Sequence, residues 1–204
     1  MAEILKPLPQ SFYLNPVLTV AENLLGKLLV IETGKNQIVV KIVETEAYHE
    51  NGDPSCHAHK GQTKRNAVMF GPPGHLYVYF TYGMHYCMNV VAEKEGTAAA
   101  VLIRAAEVIE GIDIVKKNRG ERHKLKDLTN GPAKLCEALS ITTEQNGISL
   151  LENKTFITKG QMIAKDNILQ TTRIGISEGK ELPWRFYIKD NEFVSKKVKI
   201  IGER

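Results

Sequence analysis

Two β-rich runs, Leu28–Glu32 and Ile38–Tyr48, flank the turn sequence Thr33-Gly34-Lys35-Asn36, and this pairing constrains the fold more than any other feature of the chain. A glycine-bearing turn between two such runs predicts a hairpin. A second antiparallel pair follows at His75–Thr81 and His85–Ala92, joined through Tyr82-Gly83-Met84. Ala98–Ala105 reads as a further strand, apolar on both faces until Arg104. Short strands at Ser149–Leu151, Thr155–Thr158, Gln170–Ile176 and Arg185–Ile188 alternate with turns near the C-terminus. Helices are few. Thr19-Val20-Ala21-Glu22 has the spacing of a capping box, with Ala21, Leu24 and Leu25 supplying an apolar face and Gly26 a stop. Glu107–Lys117 carries apolar residues at helical spacing. A last helix is expected from Asn130-Gly131-Pro132 to about Leu139, with Asn130 as its cap and Pro132 in its first turn. No repeat, low-complexity linker or composition break divides residues 1–204, so the expectation is one α+β domain rich in antiparallel strands, with flanking helices.

The composition excludes several classes. At 204 residues the chain can bury a full core, and 43% hydrophobic with 25% charged residues is globular usage. The longest apolar candidate for a membrane span, Thr97–Ala106, is interrupted by Arg104, so no membrane association is expected. The N-terminal Met1-Ala2-Glu3-Ile4-Leu5-Lys6-Pro7 lacks the apolar stretch of a secretion signal. Cys56, Cys87 and Cys136 are too scattered for a disulfide framework and point to a reducing compartment. A net charge of +4 permits a polyanionic partner without demanding one.

Three groups of residues could carry chemistry. In Lys41-Ile42-Val43-Glu44-Thr45-Glu46-Ala47-Tyr48, strand alternation places Ile38, Val40, Ile42, Glu44, Glu46 and Tyr48 on one face. A carboxylate held among β-branched side chains is partly desolvated, and desolvation makes a carboxylate a better proton acceptor. The plainer alternative is a strand-end glutamate in water, and spacing does not separate Glu44 from Glu46. Next come the aromatics Tyr77, Tyr79, Phe80, Tyr82 and Tyr86. Alternation sets Tyr77 and Tyr79 opposite Leu76, Val78 and Phe80, where two phenols can stack on a flat ring or serve sheet packing. Tyr82 differs, because a bulky residue at a hairpin tip cannot bury itself in its own core; such a wedge can insert between stacked bases. The basic residues Lys60, Lys64 and Arg65 lie in the long segment His49–Pro73, which reads as a functional loop. A second basic group, Lys116 to Lys126, and Lys134 follow. Each alone is most simply a solvated surface, but together with a wedge they suit phosphate contacts. Cys56-His57-Ala58-His59 with His85 and Cys87 raises the question of metal, yet no zinc-type ligand spacing is present, so no metal site is assigned.

The segments Ile42–Tyr48, Thr63…Arg65-Asn66…Met69-Phe70, Gly74–Tyr79…Tyr82-Gly83-Met84…Cys87-Met88-Asn89 and Asn130–Cys136 together resemble the alkyladenine (3-methyladenine, alkylpurine) DNA glycosylase family. The resemblance runs from about Val17 to Tyr187. It implies a curved antiparallel sheet forming an open barrel, like a formyltransferase C-terminal domain. It also implies excision of alkylated or deaminated purines from double-stranded DNA, by a monomer, with no cofactor and no metal, in the bacterial cytoplasm. Residue by residue, it makes Glu46 the base that activates water, held also by Arg104 and the backbone carbonyl of Ile174. Tyr48 and His57 would flank the flipped base on one side and Tyr79 on the other, with Asn89 discouraging normal guanine. Tyr82 matches the intercalating wedge and Met84 its neighbour, while Thr63, Arg65 and Lys134 are the expected DNA contacts. No lysine occupies this constellation as an amine nucleophile, so no lyase step is expected. Two readings compete: a non-catalytic module that senses DNA distortion, and, by fold analogy alone, an RNA-binding accessory domain.

Overall fold

The computed structural model describes residues 5–152 and 154–197. The first four residues of the N-terminal segment read above for a secretion signal lie outside them, as do the last seven of the chain. Eight strands form one sheet, in the order β3-β4-β5-β2-β1-β6, with β8 pairing to β2 and β7 to β8. Every pairing is antiparallel. The strands are β1 Leu28–Thr33, β2 Asn36–His49, β3 Leu76–Thr81, β4 His85–Val91, β5 Ala99–Glu110, β6 Thr155–Thr158, β7 Ile168–Thr171 and β8 Arg185–Ile188. Four α-helices accompany them among the described residues: α1 Gln10–Tyr13, α2 Val17–Asn23, α3 Ile112–Arg119 and α4 Pro132–Ala138. The architecture is the expected α+β curved sheet with few helices.

β2 organises the molecule. Its first half pairs with β1 and its second half with β8 on the same edge, while β5 runs along the other edge throughout. Bulges mark the change of partner. Ile42 pairs with Ala106 and Glu44 with Ala105, so Val43 is an extra residue on β2; Thr45 then pairs with Ile103, so Arg104 is an extra residue on β5. The first bulge overturns the simple alternation. Ile38, Val40 and Ile42 enter the main core together with Ala47, and Thr45 Oγ1 donates to the α2 carbonyl of Ala21 at 2.8 Å. Glu44, Glu46 and Tyr48 therefore emerge on the face opposite the three β-branched residues, not beside them. The bulge turns them over.

The helices cover one face of the sheet. Residues of α2 and α4 pack with Leu76, Val78, Met88, Val90, Val101 and Ile103, the alternate positions of β3, β4 and β5. The opposite positions, Tyr77, Val91 and Ala100, join Cys56, Ala58 and Met69 of the long 50–75 segment. That segment is less structureless than its composition suggests: it includes a 3-10 turn at Ala67–Phe70, and Asn66 ties it together by donating to the carbonyls of His57 and Gly61.

Several expected boundaries move. α2 begins two residues before Thr19, behind Pro16, and has no side-chain cap. Glu107–Glu110 continue β5, and helix α3 starts only after Gly111, whose φ of 82° and close neighbour Gln37 O require glycine. The β5–β2 ladder captures residues whose spacing also suits a helix. Asn130 does not cap α4; it accepts from Lys134 Nζ and donates to Asp127. The segment Ser149–Leu151 makes one bridge, from Ser149 to His75, rather than a strand. Gln170–Ile176 is strand only to Thr171, and its remainder becomes a loop of the site.

Candidate active site

On the face away from the helices lies a cavity of about 520 Å³. Its walls come from the second half of β2, from β3, β4 and β5, and from two loops at residues 54–57 and 174–177. Tyr48, His57, Tyr79, Tyr82, Asn89, Arg104 and Ile174, all singled out from the sequence, line it together. So do Met69, to which the sequence reading gave no role, Tyr77, which it left between ring stacking and sheet packing, and Cys87, which it raised only in connection with metal.

Glu46 lies directly behind this lining and is fully buried. Its Oε2 accepts from the Tyr48 hydroxyl at 2.8 Å and from Arg104 Nη1 at 3.2 Å. Its Oε1 accepts from the Ile174 backbone N–H at 2.8 Å. The Ile174 amide thus fixes Glu46 while its residue also lines the cavity. A carboxylate offers roughly four acceptor positions, so these three donors leave one, on Oε1. Glu44, indistinguishable from Glu46 by spacing, has another environment. It accepts from Arg104 Nε at 2.9 Å, Arg185 Nε at 2.7 Å, the Ser195 hydroxyl at 2.9 Å and the Ser195 amide at 2.7 Å. Neither carboxylate is itself a lining residue; Glu46 meets three of them, Tyr48, Arg104 and Ile174, whereas Glu44 meets Arg104.

Arg104 spans the two carboxylates. Its Nε faces Glu44, its Nη1 faces Glu46 and its Nη2 lies 3.5 Å from Ser195 Oγ. Burial opposes its charge, but the two carboxylates outweigh that effect and hold its pKa above the ordinary value. Burial and the neighbouring Glu46 charge push the Tyr48 pKa well up, so its phenol keeps the proton that it donates. Tyr79 is likewise raised, chiefly by burial, with its hydroxyl against Cys87.

The aromatic rings are unevenly spaced. The His57 ring meets Tyr79 edge-on at 4.5 Å, and its Nδ1 lies 2.9 Å from the Tyr77 hydroxyl. Nothing flat fits between those two rings as they stand. No ring contact joins Tyr48 to Tyr79 among the described residues. Partial desolvation and the Arg65 charge lower the His57 pKa, favouring the neutral imidazole. Burial raises Tyr77 to about 12. Asn89 Nδ2 donates to the Tyr77 carbonyl at 3.0 Å, which fixes the amide at the cavity wall.

A buried ion pair that the sequence did not reveal joins the two loops. Arg173 Nη1 and Nη2 each lie 2.6 Å from an oxygen of Asp53, and Nη1 also donates to the Ala47 carbonyl at 3.0 Å. The guanidinium stands over the Tyr48 ring, 4.6 Å from its centroid. The partners are 120 residues apart.

At the rim, the β3–β4 hairpin turns through Tyr82 and Gly83, both with positive φ, which matches the mirror-image turn favoured in tight hairpins. A tyrosine at φ 52° is strained, and it leaves the side chain 82% exposed beside Met84 at 69%. Arg65 Nη2 donates to the Phe80 carbonyl and faces Tyr79. Thr63 is exposed and its hydroxyl accepts from the Asn66 amide. Lys134 lies on α4, whose first residue, Pro132, reaches the cavity. Among the described residues no three His, Cys, Asp or Glu side chains converge with metal-binding geometry. No helix there is long and apolar enough to cross a membrane.

Comparison with known proteins matches residues 11–192 to the family model described as Methylpurine-DNA glycosylase (MPG). A protein of Carboxydothermus hydrogenoformans named "Putative 3-methyladenine DNA glycosylase" is 56% identical over 191 residues, covering 93% of this chain and 99% of its own. Proteins of the same name from Prosthecochloris aestuarii and Chlorobium phaeobacteroides are 51% and 49% identical. They cover 92% and 95% of this chain, and 90% and 97% of their own.

Proposed function

The chain belongs to the methylpurine-DNA glycosylase family, and from that membership and the geometry of Glu46 we propose that it hydrolyses the N-glycosidic bond of damaged purines in duplex DNA. That it is a DNA glycosylase, a hydrolase of N-glycosyl bonds, follows from the family. The finer reading covers the lesions, the water and the flipped base.

The damaged nucleotide leaves the helix and enters the cavity, with its purine between Tyr48 and Tyr79 and His57 at the ring edge. Tyr82 takes the vacated place in the stack; unstacking a damaged base costs less than unstacking a sound one, which adds selectivity. Water occupies the position beside Glu46 Oε1 that the three protein donors leave open. As the C1′–N9 bond breaks, its electron pair departs with the purine and the sugar gains oxocarbenium character. The water oxygen bonds to C1′ while Glu46 takes its proton, and the buried carboxylate also offsets the positive charge on the sugar. Arg104 retains N–H groups beyond its three protein contacts and can orient that water. An abasic site remains, and no amine attacks it.

The substrates proposed are 3-methyladenine, 7-methylguanine, hypoxanthine and ethenoadenine, read by a monomer. A ring alkylated at nitrogen is cationic, leaves readily and stacks well on phenols, at about 0.5–2 kcal/mol per contact. Neutral His57 adds no repulsion to such a ring. The Asn89 amide, fixed on Tyr77, blocks the exocyclic amino group of normal guanine. The observation that carries this reading is the Glu46 carboxylate, pinned by Tyr48, Arg104 and Ile174 directly behind the aromatic cavity. Duplexes bearing each lesion and an undamaged control, assayed side by side under single turnover, test it. Free damaged base and an abasic strand are expected, cationic lesions fastest; equal release of normal purines would contradict it.

A further inference from the structure

The sequence motif around β2 contains two carboxylates, and the proposed reaction uses one. The other, Glu44, is fully buried and meets the cavity wall only through Arg104, yet it holds four hydrogen-bond donors. A buried charge with so many fixed partners specifies a geometry rather than adding stability. The geometry in question belongs to Arg104. Each of its three nitrogens has a separate anchor: Nε on Glu44, Nη1 on Glu46 and Nη2 at Ser195. Arg104 is the extra residue of the β5 bulge, so the ladder alone leaves it loosely held. Glu44 supplies what the ladder omits.

We propose that Glu44 is a positioning residue for Glu46, acting through Arg104: it fixes the guanidinium so that Nη1 meets Glu46 Oε2 and leaves Oε1 directed at the water. The C-terminal segment is part of the device, because Ser195 gives Glu44 two of its four donors and Arg185 is tied to the Lys196 carbonyl. The other charged or titratable groups facing Glu46 are Tyr48, Tyr79, Cys87 and Arg173, and Arg185 faces Glu44. Of these, only Arg185 has Glu44 as a direct partner, so it alone loses a contact in a Glu44 variant.

The inference rests on Glu46 acting as the base, so the experiment includes Glu46→Gln as a separate arm. Single-turnover excision from a hypoxanthine-containing duplex is measured for wild type, Glu44→Gln, Glu44→Asp and Ser195→Ala, with duplex affinity measured in parallel. For Glu44→Gln the rate is expected to fall roughly tenfold, the value of one hydrogen bond to a charged group, while duplex affinity stays the same. Glu44→Asp keeps the charge but shortens the reach, so the rate falls by less than in Glu44→Gln. Ser195→Ala, which leaves both carboxylates in place, is expected to lower the rate about threefold, within the span for a single lost bond. If Glu44→Gln does not fold, the Asp and Ser195 variants decide. A wild-type rate in the variants that fold would overturn the proposal, as would a rate loss matched by lost duplex affinity. Undiminished excision by Glu46→Gln would instead remove the catalytic reading beneath it.

Discussion

His57 shows how much one side chain depends on its neighbours. Partial desolvation and the Arg65 cation depress its pKa, so the folded protein takes up a proton at this ring less readily than the unfolded chain does. The stability linked to this ring is therefore present above pH 6.5 and is lost as pH falls through the depressed folded value. Ring resonances followed by NMR should titrate below pH 6.5 in wild type and move back toward it in Arg65→Gln. A titration that ignores Arg65 would contradict the assignment of cause. Separating the two glutamates needed more than local pattern. Glu44 and Glu46 share a motif and a strand, and only the fold gives Glu44 the partners Arg185 and Ser195, which lie 141 and 151 residues away. Tyr77 was legible as a partner of Tyr79 on one face, but not as the group that holds His57, because that contact crosses from a strand to a loop.

The elements that position the site are a bulged strand, a hairpin tip and two loops. Strand periods and hairpin turns are local properties, so β1 to β5 were legible in outline, and the alternation of Tyr77 and Tyr79 held. Bulges add a residue without any local signal, which is why the face carrying Glu46 was misread at Val43. The β3–β4 turn makes a separable contribution. Tyr82→Ser removes an exposed side chain, so the melting temperature should stay near wild type while excision from duplex DNA falls about tenfold or more. A large loss of stability would show Tyr82 to be structural instead. The loops are latched by Asp53 and Arg173. Asp53→Asn leaves a buried guanidinium without its anion, and a loss of about 3–5 kcal/mol in denaturant-unfolding free energy is expected. A near-wild-type value would mean that the latch is dispensable.

Across the whole molecule, the sheet divides two tasks between its faces. One face is covered by α2 and α4 and supplies the core; the other holds the cavity under two loops and exposes Tyr82 at its rim. The fold class was legible because hydrophobic pattern and turn chemistry act locally. The cavity was legible only through the order of motifs, since its walls are assembled from residues between 48 and 177. Charge acts at this scale as well. Duplex affinity should fall by about 0.9 log units per log unit of salt for each phosphate neutralised, and a flat response would argue against Arg65, Lys134 and the basic loop as contacts. The central claim is that the carboxylate at position 46 activates the attacking water. It is tested most directly by single-turnover excision from a hypoxanthine-containing duplex with Glu46→Gln, at enzyme concentrations that saturate binding. A rate lower by about a hundredfold or more, with unchanged duplex affinity, is the expected result. Excision at the wild-type rate would contradict it.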